Sequence, residues 1–319
     1  MNHSIVVELL ASGILYGTPL LIAALGELLA ERSGVLNLGV EGMMLMGAVC
    51  GYWTSQSVGG PDVLALAVAV VVAGLAGLAM SLIHAVVTIT LGGNQIVSGL
   101  ALTIFAGAAG LSSYLGAEFS IGGDQARHAI TKLDVLGLGD LPIVGPLLFD
   151  NSAMVYLSWL LTIAVAYYLY RTRIGLHLRA VGEDPASADA MGINITRYRY
   201  AHVLAGGFLA GVAGATFSLA INQNWADGLT RGSGWIAIAL VIFAFWRPGL
   251  VLIGAYMFGT VSSLGFTLQS RGVHLPSELF SALPYVMTVV VLVLVSTVWV
   301  RGRFGAPHAL GTHYSREGG

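Results

Sequence analysis

Nine apolar segments constrain what this chain can fold into more than any other feature. A helix needs about 20 apolar residues to cross hydrocarbon about 30 Å thick. Segments near that length cover residues 5–29, 35–54, 62–90, 96–115, 151–170, 200–221, 233–246, 249–269 and 283–300. Only 9% of the 319 residues are charged, against about 25% in an ordinary soluble domain. The sequence therefore predicts an all-α, polytopic integral membrane protein with about nine transmembrane helices.

The composition also excludes several kinds of chemistry. A net charge of −2 and a single lysine, Lys132, leave no basic stripe for nucleic acid. That lysine is not in a GK[ST] motif, so the chain has no P-loop of its own. Cys50 stands alone, and the eight histidines do not have metal-ligand spacing. We expect neither an enzyme nor a bound metal or cofactor.

The basic residues predict how the helices are oriented. With nine crossings and the N-terminus outside, ten of the fourteen basic residues fall in inner loops. Segment 233–246 is short enough to be re-entrant, but that topology divides the basic residues evenly, so a full crossing is favoured. The whole chain, 1–319, is interpreted as one transmembrane domain. It has an outer loop at 116–150, an inner loop at 171–199 and a cytoplasmic tail at 301–319.

Polar residues within the apolar segments are the candidates for a translocation path. Asn37 and Glu41 are four residues apart, which predicts that both lie on one face of a helix loosened by glycines and that this face lines a cavity. The alternative is that Glu41 only hydrogen-bonds a neighbouring helix. Glu27 and Glu31 are interpreted as an interfacial charge cluster beside Arg32.

Two further groups stand between the apolar segments. Asn94 and Gln95 precede the fourth segment, and Asn222 and Trp225 follow the sixth. Amides beside an aromatic ring suit a heterocyclic solute, although loop amides are also ordinary turn formers. No fixed cation is evident among these candidates, which favours a neutral solute. In the sixth segment, the small residues around Gly207, Gly211 and Gly214 predict close helix packing.

The inner loop contains the signals of a short helix. Asp184 suits the N-cap, Pro185 the first helical position, and Gly192 the end. Two turns are not stable alone, so the helix requires a partner surface; the alternative is an ordinary solvated loop. The predicted docking residues are Glu183, Asp184, Pro185, Ala186, Ala188, Asp189 and Gly192. We expect Ala188→Arg to abolish transport without unfolding the chain.

Two stretches carry a resemblance to a known family. Residues 31–48, which begin ERSGVLNLGVEG, and residues 180–193 resemble the permease subunits of ABC importers for branched-chain amino acids, ribose-type sugars and nucleosides. Residues 269–276, together with Leu283-Pro284-Tyr285, are most similar to the nucleoside-type permeases. The resemblance implies that 184–192 is the coupling helix and that the Asn37–Glu41 segment lines the cavity.

The resemblance also implies partners and a location. An ATP-binding subunit would bind the nucleotide, a second permease, identical or paralogous, would complete the channel, and an extracytoplasmic binding protein would deliver the solute. The location would be the plasma membrane of a prokaryote, in contact with lipid. Nucleoside import is the expected function. A sugar or branched-chain amino acid permease is one alternative, and an ion-coupled secondary transporter that uses Glu41 is another.

Overall fold

The chain folds into a bundle of helices. The computed structural model describes residues 5–107, 109–121, 125–269, 272, 276–294 and 305–314. In these ranges the α-helices are α1 (Ile5–Arg32), α2 (Val40–Ser57), α3 (Asp62–Ala85), α4 (Gln95–Ala106), α5 (Leu111–Glu118), α6 (Ala153–Arg171), α7 (Arg173–Glu183), α8 (Pro185–Ala190), α9 (Ile195–Thr216), α10 (Ser233–Phe243), α11 (Pro248–Gln269) and α12 (Ser277–Leu294). The predicted helical class is confirmed.

In the residues that the structure describes, strands occur only in the predicted outer loop and at its junction with α6. A short antiparallel pair joins β1 (Lys132–Asp134) to β2 (Asp150–Ser152), with Leu133 opposite Asn151. Shorter helical turns complete the described chain: π-helices at Val86–Thr90, Gly145–Phe149 and Phe217–Ile221, and a 3-10 turn at Val135–Gly137. The two π-helices that follow α3 and α9 extend apolar helices, so they lengthen those helices rather than end them.

Among the described residues, six helical stretches are long and apolar enough to cross a membrane. They are Ile5–Arg32, Asp62–Thr90, Gln95–Glu118, Ala153–Arg171, Ile195–Ile221 and Pro248–Gln269. The protein is therefore a multi-pass membrane protein. A helix also lies in each of the other three predicted segments, as α2, α10 and α12. The last part of the predicted ninth span, 295–300, lies outside the described residues, as do residues 301–304 and 315–319 of the tail.

Helix α10 differs from its prediction. Its 11 residues extend about 16 Å at 1.5 Å per residue, roughly half of the hydrocarbon thickness. The predicted full crossing of 233–246 is therefore not made by this helix alone. The helix begins at the predicted residue, Ser233, but it ends early, at Phe243. Phe245 and Trp246 have φ values of 49° and 52°, which a helix does not accommodate.

Helices α1 and α9 form the centre of the bundle. Glycines lie where α9 contacts its neighbours, as the small residues of that helix predict. A glycine has only a hydrogen in place of a side chain, so the backbones approach closely. A Cβ on Gly211 would lie 2.1 Å from the carbonyl oxygen of Ala73, and one on Gly214 would lie 1.8 Å from that of Met44. The predicted close packing is confirmed. Glycine is required at these positions because the backbones touch.

Candidate functional site

A cavity opens among helices at the end of the bundle that the charge distribution predicts to face outward. Its volume is about 410 Å³, within the range of small-molecule sites. The walls come from α1, the π-helix after α9, the start of α10, and helices α11 and α12. The lining combines hydrogen-bonding side chains with aromatic rings, and it includes Tyr16, Phe217, Asn222, Thr230, Ser233, Gln269, Phe280 and Tyr285.

The Glu41 carboxylate explains why α10 begins beside this cavity. Its Oε1 accepts hydrogen bonds from Thr230 Oγ1 at 2.6 Å and from the Gly232 amide at 2.8 Å. Its Oε2 accepts from the Gly234 amide at 2.6 Å. These amides belong to the first turn of the helix, where N–H groups have no partner within the helix. A negative charge at this end also interacts favourably with the helix dipole. Glu41 therefore caps α10 from another helix.

Burial places Glu41 behind the cavity wall. The residue is 7% exposed and is absent from the lining, whereas its partner Thr230 lines the cavity. This geometry matches the alternative in which Glu41 hydrogen-bonds a neighbouring helix. The carboxylate acts on the cavity through the position of Thr230 and of the turn that follows it.

The expected shared helix face of Asn37 and Glu41 is wrong. Helix α2 begins at Val40, so Asn37 precedes it. The Asn37 side chain accepts a hydrogen bond from the Gly39 amide at 3.0 Å, an Asx-turn that competes with helix. The Asn37 amide donates to Glu27 Oε1 at 3.0 Å. The side chain is 1% exposed and shapes the link between α1 and α2.

Asn94 and Gln95 have structural partners at the opposite end of the bundle from the cavity. The Asn94 side chain caps α4 by accepting from the Val97 amide at 3.1 Å. Gln95 is 4% exposed, and its Oε1 accepts from the Leu36 amide at 2.7 Å. Both amides therefore fix loops, and neither lines the cavity.

Asn222 is the predicted path residue that the structure places on the cavity lining. It follows the π-helix that ends the sixth apolar segment. Trp225, by contrast, is 3% exposed and packs against α5, where a Cβ on Gly116 would lie 2.4 Å from the indole Nε1. The indole is therefore a packing group in this conformation.

Sequence reasoning missed several lining residues. Thr230 and Ser233 were not predicted, because a single hydroxyl in a turn gives no sequence signal of a binding site. Gln269 and Tyr285 lie in or beside the stretches that carry the resemblance, which was a usable signal. The absence of a fixed cation was also wrong, because Arg231 lines the cavity and is exposed.

Glu27 and Glu31 are not the interfacial cluster expected from the sequence. They are 1% and 0% exposed. Glu31 Oε2 accepts a hydrogen bond from the Trp246 indole, and Glu27 Oε1 accepts from the Asn37 amide. The second oxygen of each carboxyl group is buried without a hydrogen-bond partner among the described residues. The pair thus joins α1 to the loop before α2 and to the turn after α10.

A short helix forms at the place where the docking helix was predicted. Helix α8 contains six residues, with Pro185 first and Asp184 as its N-cap. Asp184 Oδ1 accepts from the Ser187 amide at 3.0 Å, and the Ser187 hydroxyl donates to Oδ2. These hydrogen bonds lower the pKa of Asp184 below its usual value, so the cap is charged at neutral pH. Gly192 ends the helical turn with φ of 83°.

The predicted docking residues divide between two faces of α8. Glu183, Asp184, Ala186 and Gly192 are exposed, and Pro185 and Asp189 are half-buried. Ala188 is 4% exposed and packs with Val181 and Ile195 of its own chain. Asp189 Oδ2 accepts a hydrogen bond from Tyr314 Oη at 3.1 Å. The surface open to a partner therefore includes Ala186, Ala190 and Met191, the last 82% exposed.

Comparison with known proteins identifies the family. The profile of the branched-chain amino acid transport system permease component matches residues 9–292. The chain belongs to this family. It is the permease subunit of an ABC transporter, a transport component rather than an enzyme. Membership implies a transporter with an ATP-binding subunit and a substrate-binding protein.

Three relatives are similar over nearly their whole length. "Putative glucose ABC transporter permease protein TsgC13" of Haloferax volcanii is 38% identical, over 97% of this chain and 98% of the relative. The nucleoside ABC transporter permease NupC of Lactococcus lactis subsp. cremoris is 33% identical, over 97% of each chain. The guanosine ABC transporter permease NupQ of Bacillus subtilis is 33% identical, over 94% of each. No solved structure matches the chain.

Proposed function

We propose that this permease carries a nucleoside through the cavity that Asn222 lines. The observation that carries the proposal is the composition of the lining. Rings such as Phe217 and Phe280 suit the face of a base, and the amides of Asn222 and Gln269 suit its hydrogen-bonding edge. The hydroxyls of Thr230 and Ser233 suit ribose. The names of NupC and NupQ support the same solute class.

A sugar is the second candidate solute. The relative TsgC13 is named for glucose, and hydroxyls and amides are also the groups that bind sugars. A monosaccharide would use fewer of the rings in a cavity of about 410 Å³. The two solutes therefore predict different competition patterns in an uptake assay.

The proposed mechanism couples this cavity to α8. The exposed face of α8 docks on the ATP-binding subunit. ATP is bound by that subunit and not by this chain. A second permease, identical or paralogous, completes the channel, and an extracytoplasmic binding protein delivers the solute. The protein makes nine crossings of a prokaryotic plasma membrane, with the N-terminus outside, and residues 222–232 and α10 together make the seventh. Ion coupling through Glu41 is not favoured, because its carboxylate already accepts three hydrogen bonds.

Uptake of labelled nucleosides tests the solute. Cells with and without this gene are compared, with unlabelled nucleosides, sugars and amino acids as competitors. We expect ATP-dependent nucleoside uptake that is lost in the deletion and blocked by nucleosides alone. Unchanged nucleoside uptake in the deletion would exclude the proposal, and loss of glucose uptake would establish the second candidate.

A matched pair of variants tests the cavity. Asn222→Ala removes an amide from the lining, whereas Asn224→Ala removes one from the same segment outside the lining. We expect Asn222→Ala to raise the KM for uptake about tenfold, since a lost hydrogen bond to a bound solute costs about 1.5 kcal/mol. Asn224→Ala should leave KM unchanged. Equal KM values for the two variants would show that the solute does not bind at Asn222 in this cavity.

A further inference from the structure

A second cavity lies at the opposite end of the bundle and is rich in arginine. Its volume is about 660 Å³. Arg32, Arg179 and Arg247 line it, and Glu183 is the carboxylate among its described lining residues. The surplus of positive charge distinguishes it from the outer cavity, and the proposed transport cycle gives it no role.

The cavity lies where membrane-crossing helices end. Arg32 is the last residue of α1, Tyr170 is in the last turn of α6, and Pro248 is the first residue of α11. All three helices are long and apolar enough to cross a membrane. The cavity is therefore at the level of the boundary between hydrocarbon and water, where lipid headgroups lie.

Two of the arginines make no direct ion pair with a described residue, although Glu183 offsets part of the Arg32 charge. In the part of the chain that the structure describes, the ion pairs involve neither Arg32 nor Arg179. The Arg179 guanidinium carbon lies 5.5 Å from the centre of the Tyr170 ring, which holds it at the cavity wall. Arg32 Nη2 donates to the Trp246 carbonyl at 3.1 Å. Each guanidinium has five N–H donors, so both retain donors for an anion.

Apolar stripes run from the cavity toward the middle of the bundle. On α11, Leu250, Ile253 and Met257 are exposed at helical spacing, and Leu250 also lines the cavity. On α6, Ile163 and Tyr167 are 68% and 64% exposed. The two helices are neighbours, joined by a hydrogen bond between the Trp159 indole and the Tyr256 hydroxyl. Acyl chains that lie on these stripes would bring their headgroup to the arginines.

We propose that this cavity binds the phosphate headgroup of an anionic phospholipid. Arginine is suited to this ligand because its planar guanidinium matches phosphate geometry. Basic pockets between helices on the cytoplasmic side are a known way to hold such headgroups. The positive charge, the position at the membrane boundary and the adjoining apolar stripes all fit a lipid. A free phosphate would interact only with the positive charge.

Lipid titration of the purified full-length chain tests the proposal. Binding of phosphatidylglycerol and of phosphatidylcholine is measured by native mass spectrometry for wild type, Arg179→Gln and Arg173→Gln. Arg173 is an exposed arginine of the same inner loop outside this cavity. We expect phosphatidylglycerol to bind more tightly than phosphatidylcholine. Arg179→Gln should weaken phosphatidylglycerol about fivefold, equivalent to about 1 kcal/mol, and Arg173→Gln should not.

Three results would overturn the proposal. Equal weakening by Arg179→Gln and Arg173→Gln would indicate general attraction to a charged surface. Displacement of the lipid signal by inorganic phosphate would indicate a site for free phosphate. Unchanged lipid affinity, with less ATP-binding subunit copurified, would indicate a protein-docking surface. Thermal unfolding establishes that each variant is folded, and Arg247→Gln replaces Arg179→Gln if the latter is not.

Discussion

The Glu41 carboxylate is the point where substitution should affect the cavity most. It accepts hydrogen bonds from Thr230 and from the amides of Gly232 and Gly234. Glu41→Ala would leave these donors buried without an acceptor, at about 1–3 kcal/mol each. We expect a large loss of folded protein, measured by thermal unfolding in detergent. Glu41→Gln retains an acceptor and should be milder.

An exposed carboxylate provides the control for that substitution. Glu118 ends α5 and is exposed, so Glu118→Ala should leave the melting temperature unchanged. If Glu41→Ala were as stable as Glu118→Ala, the carboxylate would not hold α10 in place, and the cap would have to be reassigned.

The buried pair of Glu27 and Glu31 supports a second prediction. Both side chains are buried, and each has an oxygen without a hydrogen-bond partner among the described residues. Two neighbouring buried carboxyl groups are unfavourable whenever both are charged, so Glu31→Gln should remove that cost while its carbonyl oxygen still accepts from Trp246. We expect equal or higher thermal stability. Glu31→Ala, which removes the acceptor, should lower it, and the reverse order would contradict this account.

At the scale of elements, the structure of α8 allows a sharper test of the proposed docking than the sequence alone. The expected result for Ala188→Arg is no longer a test of docking, because Ala188 packs inside its own chain and arginine there would disturb the loop. Ala190→Arg adds the same bulk and charge on the exposed face. We expect Ala190→Arg to reduce uptake at least tenfold and to reduce copurification of the ATP-binding subunit, with unchanged thermal stability.

The matched control for this test lies on another short helix. Ala117 is an exposed alanine of α5, at the predicted outer end, so Ala117→Arg should leave both uptake and copurification unchanged. Normal copurification with Ala190→Arg would show that the ATP-binding subunit docks elsewhere.

Local signals explain which elements could be predicted from the sequence. Asp184, Pro185 and Gly192 specify α8 within nine residues, so its place could be read directly. The cap of α10 could not, because Glu41 and Thr230 are separated by 189 residues. The cavity was missed for the same reason: its lining combines α1, α11 and α12 with residues after α9. The length of the apolar segments was enough to predict the helices. The cavity, in contrast, depends on polar contacts between residues that are far apart in the sequence.

At the scale of the whole molecule, the predicted orientation can be tested through the single cysteine. Cys50→Ser provides a background without thiols. Into it, Ala117→Cys places a thiol at the predicted outer end and Thr196→Cys one at the inner end, both at exposed positions. We expect a membrane-impermeant maleimide to label Ala117→Cys in intact cells and Thr196→Cys only after permeabilisation. The opposite pattern would invert the assignment of both cavities.

Both ends of helix α10 are hydrogen-bonded to helices from the start of the chain, the first end to α2 and the last end to α1. Glu41 at the start of α2 holds its first turn, and Trp246, just beyond its last turn, is bound by Glu31 and Arg32 of α1. These hydrogen bonds restrain both ends of α10. An opening of the outer cavity that keeps them intact would therefore move α1, α2 and α10 together. The hinges of the transport cycle would then lie between these three helices and the remaining ones.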